Sequence, residues 1–268
     1  MARQFRHGRQ TRIIADGVDL SCYLKEASVS ATVDTPETTA FCDTIKQWVS
    51  GLPDYSASLS GMFEATATTG TEQGSDTVLF AKFGKEQVLN VIHSSEGAQA
   101  GRRSRAFGGL VTSYNVQNTV ADMVALNMDM KITGQLYICQ NLTRFGTDRL
   151  LTSVTTPFAV VADRQTIFGA SSPYGAATYN GYGLLQMKNT STAAATVIME
   201  DSADNTTWAA LGGMTSVTLQ PGEVTQLVVA DAAIARYMRV KLTAAPTTNP
   251  IDFYFGLVDP NLSPIVAG

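Results

Sequence analysis

Few residues in this chain carry side chains suited to chemistry. Its 268 residues hold two histidines, His7 and His93, and three cysteines, Cys22, Cys42 and Cys139. A general acid or base needs a positioned neighbour that tunes its proton affinity, and neither histidine lies in a motif that supplies one. His93 ends an apolar run, Gln87 to Ile92, and reads as a hydrogen-bonded structural residue. His7 reads as part of an N-terminal arm. The cysteines are odd in number and have no metal-ligand spacing, so they read as buried free thiols in a reduced compartment during synthesis. Asp201, Asp204 and Asn205 offer oxygens to a calcium ion, but their spacing fits no EF-hand loop. A hairpin tip is the plainer reading. Nucleophile-elbow, phosphate-loop and dinucleotide glycine motifs do not occur. No enzyme activity, cofactor or metal is therefore expected.

Two arginine groups stand apart. Arg3, Arg6, Arg9 and Arg12 recur every third residue, and Arg102, Arg103 and Arg105 cluster near the middle. Guanidinium groups so placed could contact phosphate, or pair with acidic partners such as carboxylates of a neighbouring chain. The whole chain is acidic, with 19 Lys plus Arg against 23 Asp plus Glu and a net charge of −4. That balance does not suit a protein that grips nucleic acid with its entire surface. Charged residues are only 16%, against about 25% in an average chain. This excludes a charge-rich disordered protein and a charge-laced coiled coil. No apolar run approaches the roughly 18 residues that span a bilayer, so no membrane anchoring is expected. The first residues lack the apolar core of a secretory signal.

The elements that must position these residues are mostly strands. Asp16-Gly17 is a hairpin dipeptide. Ala27 to Asp34 alternates apolar and polar residues, as does Ser56 to Glu64. Phe41 to Val49 could form a short helix, and Thr66 to Gly74 has loop composition. Ser75 is a suitable N-cap for a helix over Asp76 to Phe83, with Gly84 as its stop. Ser94 to Gly109, with four glycines and three arginines, reads as a long mobile loop. Strands follow over Leu110 to Gln117 and Thr119 to Lys131. After about residue 150 the texture changes, and only 5 of the 19 basic residues remain. Leu151 to Pro157 reads as a linker. Six short strands follow, over Tyr182 to Lys188, Ala195 to Glu200, Met214 to Leu219, Val224 to Val229, Tyr237 to Leu242 and Ile251 to Leu257. The expected fold is mainly β, with a first domain over residues 1–155 and an antiparallel β-sandwich over residues 156–268.

The polar faces of the first-half strands are unusual in their chemistry. They are rich in Ser, Thr, Asn and Gln and poor in Lys and Arg, whereas a monomer's solvent face carries more charge. Short uncharged groups with a few carboxylates would let a polyanion slide past, because cations are what hold phosphates. Ser58, Ser60, Glu64, Asn115, Asn127 and Asp129 are the residues expected to line such a channel. Lys131 departs from the pattern and should pair with a carboxylate such as Asp129, or lie at the rim.

The stretches Gly17 to Leu24, Val29 to Phe41 and Lys46 to Phe63 carry a resemblance. Gly51-Leu52-Pro53-Asp54 matches a Gly-Leu-x-Asp turn that feeds a Ser-rich strand, and Ser60-Gly61-Met62-Phe63 matches its Ser-Gly-x-Phe end. Together they resemble the N-terminal region of major tail tube proteins of long-tailed, siphovirus-like bacteriophages. The likeness covers roughly residues 10–140, and Cys42 stands where Gly is expected. It implies a structural virion protein assembled in the bacterial host cytoplasm. Hexameric rings would stack into a hollow tube that serves as the conduit for genome ejection. The implied partners are further copies of the chain, the tape-measure protein, the tail terminator and distal tail proteins, with DNA transient in the lumen. Arg3, Arg6, Arg9, Arg102, Arg103 and Arg105 become candidates for contacts between rings. The second half resembles a surface-decoration domain, expected to fold by itself. Six such domains per ring would obstruct a contractile sheath.

A rival reading is a two-domain carbohydrate-binding protein used in host recognition. Its candidate sugar contacts are Trp208 and Tyr182, since exposed aromatics on a sandwich can stack on sugar rings.

Overall fold

The computed structural model describes residues 8–40, 42, 44–64, 74–120, 122–144, 149–150, 159–244 and 251–261. Within them the chain is mainly β, and every strand pairing is antiparallel. The strands of the first half are β1 (Arg12–Ala15), β2 (Val18–Asp19), β3 (Leu24–Val33), β4 (Pro53–Met62), β5 (Leu89–Ser94), β6 (Arg103–Gln117) and β7 (Ala125–Asn141). Next come β8 (Arg149–Leu150), β9 (Ala159–Asp163), β10 (Thr178–Lys188), β11 (Ala195–Ser202) and β12 (Ala209–Ala210). The last four are β13 (Val217–Leu219), β14 (Val224–Ala235), β15 (Tyr237–Ala244) and β16 (Ile251–Val258). Two short helices, α1 (Ser75–Phe80) and α2 (Arg164–Phe168), complete the set. No helix among the described residues is long and apolar enough to cross a membrane.

Local chemistry accounts for several of these elements. Asp16 and Gly17 take φ of 46° and 77°, the paired left-handed values of a tight hairpin turn, and β1 and β2 close around them. Gly17 is also needed for space, because a Cβ there would sit 2.7 Å from Cβ of Lys188. All six strands expected in the second half form, most of them extended by a few residues.

Other expectations change under tertiary pairing. No helix forms over the described part of 41–49. Instead Glu37 bridges Trp48, and Thr38 N–H donates to Gln47 O at 2.9 Å, so the chain extends the β3–β4 hairpin. Ser75 is the first residue of α1, not its cap. Its hydroxyl donates to Met62 O at 2.7 Å and accepts from Glu64 N–H at 3.2 Å, tying the helix to the end of β4. The helix stops at Phe80. The long loop expected from Ser94 shrinks to the stretch between β5 and β6, because Arg103 to Gly109 is strand, paired with β7 and, from Arg105 on, with β5. Gly108 and Gly109 serve packing there, since a Cβ on them would meet Val88 at 2.4 Å and Met130 Sδ at 2.9 Å. Cys22 and Cys42 are exposed, not buried; only Cys139 is interior, and burial pushes its thiol up to about 12.

The larger sheet runs β14-β10-β16-β7-β6-β5-β1-β2, with β4 on β7, β3 on β4 and β8 on β16. It curls around a first apolar core. That core joins Ile13, Val91 and Phe107 to Leu59, Met128 and Leu79, residues from opposite walls of the curl. The second sheet, β12-β11-β15-β9 with β13, packs on β10, β14 and β16 over another core that includes Met187, Val197, Val240 and Phe255. Between them lies a third cluster: Ile14, Ile92, Ala106 and Cys139 from the first half, Leu184, Tyr254 and Val258 from the second.

The boundary expected at residue 155/156 lies outside the described residues. Strands on either side of it nevertheless share one sheet, since Gly256, Leu257 and Val258 of β16 pair with Asn141, Gln140 and Cys139 of β7. A chain cut near residue 157 would lose β10 and β16 and expose the third cluster to water. Leu184→Ala tests this coupling. Truncating a fully buried Leu costs about 2–5 kcal/mol. A denaturant titration should show both halves shifting together in one transition.

Candidate functional site

The polar residues of β3, β4, β7 and β6 assemble into one face. Side chains opposite one another in an antiparallel ladder share a side of the sheet. Register places Ser28, Ser58, Asp129 and Ser113 in one row, and Glu26, Ser60, Asn127 and Asn115 in the next. A third row sets Ser30 and Ser56 beside Lys131. The rows are bonded across strands: the hydroxyls of Ser28 and Ser58 lie 2.8 Å apart, and Ser113 donates to Asp129 Oδ2 at 2.7 Å. A β-bulge in β6 between Val111 and Ser113 turns Thr112 to Asp129 O at 3.2 Å. On the reverse side Ala57, Leu59, Leu126, Met128 and Met130 are buried in the first core.

Five of the six expected channel residues, Ser58, Ser60, Asn115, Asn127 and Asp129, therefore share this face. Glu64 does not join the rows. It follows the end of β4, and its backbone is held by Ser75 and Asp76 at the start of α1. Lys131 pairs with Asp54, Nζ to Oδ2 at 2.5 Å, and not with Asp129. Among the described residues of this face, the carboxylates of Glu26, Asp54 and Asp129 outnumber the Lys131 ammonium. Ser28, Ser30, Ser56, Thr112 and Ser113 belong to it as well; alternation marked most of them as polar but did not reveal which strands would lie side by side.

Two edges of this four-stranded platform lack a strand neighbour among the described residues. β3 pairs only with β4. β6 pairs with β5 only up to Gly109, so Leu110 to Gln117 has β7 on one side alone. β6 and β7 take part in both features: Ala106 and Cys139 belong to the third cluster, and the stretches 113–115 and 127–131 belong to the polar rows.

The arginines gather elsewhere. Arg3, Arg6 and His7 lie outside the described residues, and Arg9 sits in a 3-10 turn over Gly8–Gln10. Arg12 and Arg102 line one open cavity with Gln10, Glu96 and Gln99, so the end of the arm and the loop before β6 adjoin. Arg103 N–H donates to Glu96 Oε2 at 3.3 Å, and Arg105 stands opposite His93 in register. Tyr182 is partly buried against the third cluster, whereas Trp208 rests on Arg239 in the second sheet, so the two do not form one site. Asp204 and Asn205 do form a hairpin tip. Among the described residues, no three His, Cys, Asp or Glu side chains come together as a metal set.

His93 is buried as a structural residue, and its Nδ1 has no hydrogen-bond partner among the described residues. Burial, and then the charge of Arg105, lower its pKa to about 4.

The sequence matches no protein-family profile and no curated protein sequence. Solved structures do resemble it. A chain of the virion of a native gene transfer agent particle is 15% identical, covers 50% of this chain and 98% of its own, and superposes with a TM-score of 0.40. A chain of the tail of an empty gene transfer agent particle is 14% identical, covers 42% and 80%, and scores 0.35. The Dit protein of phage SPP1, described as a paradigm of the hub adsorption apparatus in phages that infect Gram-positive hosts, is 12% identical, covers 92% and 98%, and scores 0.35. All three scores are below 0.5, too low to carry a fold or function by themselves.

Two outcomes are expected. Between pH 6.5 and about 4 the unfolded chain binds a proton that folded His93 does not. Stability should fall through that window as pH falls, by about 3 kcal/mol at most. His93→Gln should flatten this part of a stability–pH profile measured by urea titration. On the platform, Ser58→Lys and Asn127→Lys should change monomer stability by no more than about 0.5 kcal/mol, because both side chains reach solvent. Met128→Ala on the reverse face should cost about 2–5 kcal/mol in the same assay.

Proposed function

We propose that this chain is a structural protein of a phage-type virion tail and that it polymerises as stacked hexameric rings into a tube. The observation that carries this reading is the four-stranded platform with a free edge at each side. β3 of one copy can pair with residues 110–117 of the next, which removes two exposed edges at once. Six copies would close a ring of 24 strands. At about 4.8 Å per strand the circumference is about 115 Å and the diameter about 37 Å, before strand tilt widens it. Such a ring admits a DNA duplex.

The platform chemistry supports the role of conduit. DNA carries about one charge per 1.7 Å of duplex axis, so every cation on the wall is a sticking point. Here the lumen would present hydroxyls, amides and carboxylates, with Lys131 neutralised by Asp54. Ser58, Ser60, Asn115, Asn127 and Asp129 would line it, and residues 156–268 would lie outside the tube as a decorating unit.

Stacking of rings fits the two ends of the platform. The β3–β4 tip exposes Ile45, Trp48 and Leu52, and the opposite end exposes Phe80, Val120 and Met123. Different patches that meet head to tail build open filaments. The arginine groups, Arg3, Arg6, Arg9, Arg102, Arg103 and Arg105, are further candidates for this contact. The tape-measure protein, tail terminator and distal tail proteins would be the other partners.

Adjacent strand residues point their N–H groups to opposite edges. Of Ser28→Pro and Val29→Pro, one should therefore break the β3–β4 ladder and destabilise the monomer. The other should leave a folded monomer that forms no ring. Negative-stain electron microscopy of the wild-type chain should show hollow tubes. If both proline variants fold and assemble normally, β3 is not a ring contact. Single rings that never stack would indicate a cap or hub at the end of a tube, and monomers under all conditions would refute assembly.

A further inference from the structure

The outer face of the second sheet holds an arrangement that its core does not require. Register sets Val161, Arg239, Glu200 and Ala210 in one row across β9, β15, β11 and β12. Arg239 Nε donates to Glu200 Oε2 at 2.5 Å, and Lys241 Nζ lies 3.8 Å from the same carboxylate. The Arg239 guanidinium stacks on Trp208, 4.0 Å from the ring centroid. The neighbouring row pairs Tyr237 with Asp163, and Arg236, just before β15, holds Asp163 by two hydrogen bonds, 2.9 and 2.7 Å, and lies over the Tyr237 ring at 4.7 Å. Trp208 is partly exposed and packs in none of the three apolar clusters. An aromatic side chain of that size usually contributes its area to a core.

The hairpin that carries Trp208 is locked in place. Asp204 accepts from the N–H groups of Thr206 and Thr207 at 2.8 and 2.7 Å, and from the hydroxyls of Ser202 and Thr207 at 2.9 and 3.2 Å. These donors hold its carboxyl below the usual carboxylate range. Asn205 takes a left-handed φ of 62°, which Asn tolerates better than most residues. The indole is thus positioned before any ligand arrives, so little ordering entropy is lost on binding. Beside it stand the Glu200 carboxylate and two cations paired with it, of which Lys241 is the more exposed. A flat apolar surface rimmed by such groups matches a ring with an apolar C–H face and a rim of hydroxyls.

We propose that this face is a sugar-binding platform. The indole of Trp208 stacks on a pyranose ring with the face that Arg239 leaves open, Arg239 held by Glu200 fixes the indole from behind, and Lys241 donates to the sugar hydroxyls. The site lies on the second sheet and stands whether or not the chain builds a tube.

Trp48→Phe leaves Trp208 as the single tryptophan of the full chain, so its emission reports this face. That variant is titrated with three defined probes: an N-acetylglucosamine tetramer, a β-glucan tetramer and a tetragalacturonate. The expected result is a saturable emission change with at least one. Calorimetry with the same sugar should show affinity reduced about tenfold or more by Arg239→Ala and by Glu200→Gln. Trp208→Ala should abolish binding, with thermal melts showing that each variant folds. No saturable change with any of the three overturns the proposal. So does calorimetric binding that survives Trp208→Ala, or an emission change produced only by a single-stranded oligonucleotide.

Discussion

The pairing of β16 with the end of β7 is the contact on which the rest of the molecule depends. β16 is the last strand in the sequence, yet it lies at the middle of the larger sheet, between β7 and β10. Its two faces serve different cores: Phe253, Phe255 and Leu257 pack toward the second sheet, while Tyr254 and Val258 pack toward the first half. A strand covered on both faces loses the apolar–polar alternation of a solvent-facing strand, and Phe253-Tyr254-Phe255 reads accordingly. The seam is also bonded. Ser104 donates to Asn141 Oδ1 at 2.7 Å and meets the Tyr254 hydroxyl at 2.6 Å, and Gln186 Nε2 donates to Asn90 O at 2.8 Å. The buried hydroxyls of Ser104 and Tyr254 and the Asn141 amide, bonded in this way, select one arrangement, because any slip would leave them unpaired in a dry interior.

The same seam orients the rest. The second half packs on Ile14 of β1, Ile92 of β5, Ala106 of β6 and Cys139 of β7, while the small polar residues lie on β3, β4 and the other ends of β6 and β7. That face presents mostly short polar side chains to solvent. Its groups are short, its hydrogen bonds run between neighbouring strands, and its one cation is neutralised. The outer face of the second sheet has the opposite character: long side chains, paired charges and two aromatic rings stacked on guanidinium groups. The two surfaces differ in side-chain length and in how their cations are held: the Lys131 side chain is 56% exposed, whereas those of Arg239 and Lys241 are 18% and 28% exposed.

Much of this was legible in the sequence, because strand alternation is a local property with a period of two. The polar–apolar split of Ser56 to Ser60 and of Asn127 to Lys131, the Asp16-Gly17 turn and the six strands of the second half all follow from neighbouring residues alone. Composition by itself excluded a basic nucleic-acid binder and a charge-rich disordered chain. Tertiary structure decided what depends on partners far away in the chain. Gly108 and Gly109 look like loop residues until Val88 and Met130 are placed against them. The segment after Phe41 has helical composition but continues a hairpin, because Glu37 and Trp48 are held opposite each other. Lys131 could have met either of two carboxylates, and register chose Asp54. Tyr182 and Trp208 look alike in sequence, yet one packs at the seam and the other lies on Arg239. Alternation states that two faces differ; only the register of strands distant in sequence determines which face each core covers.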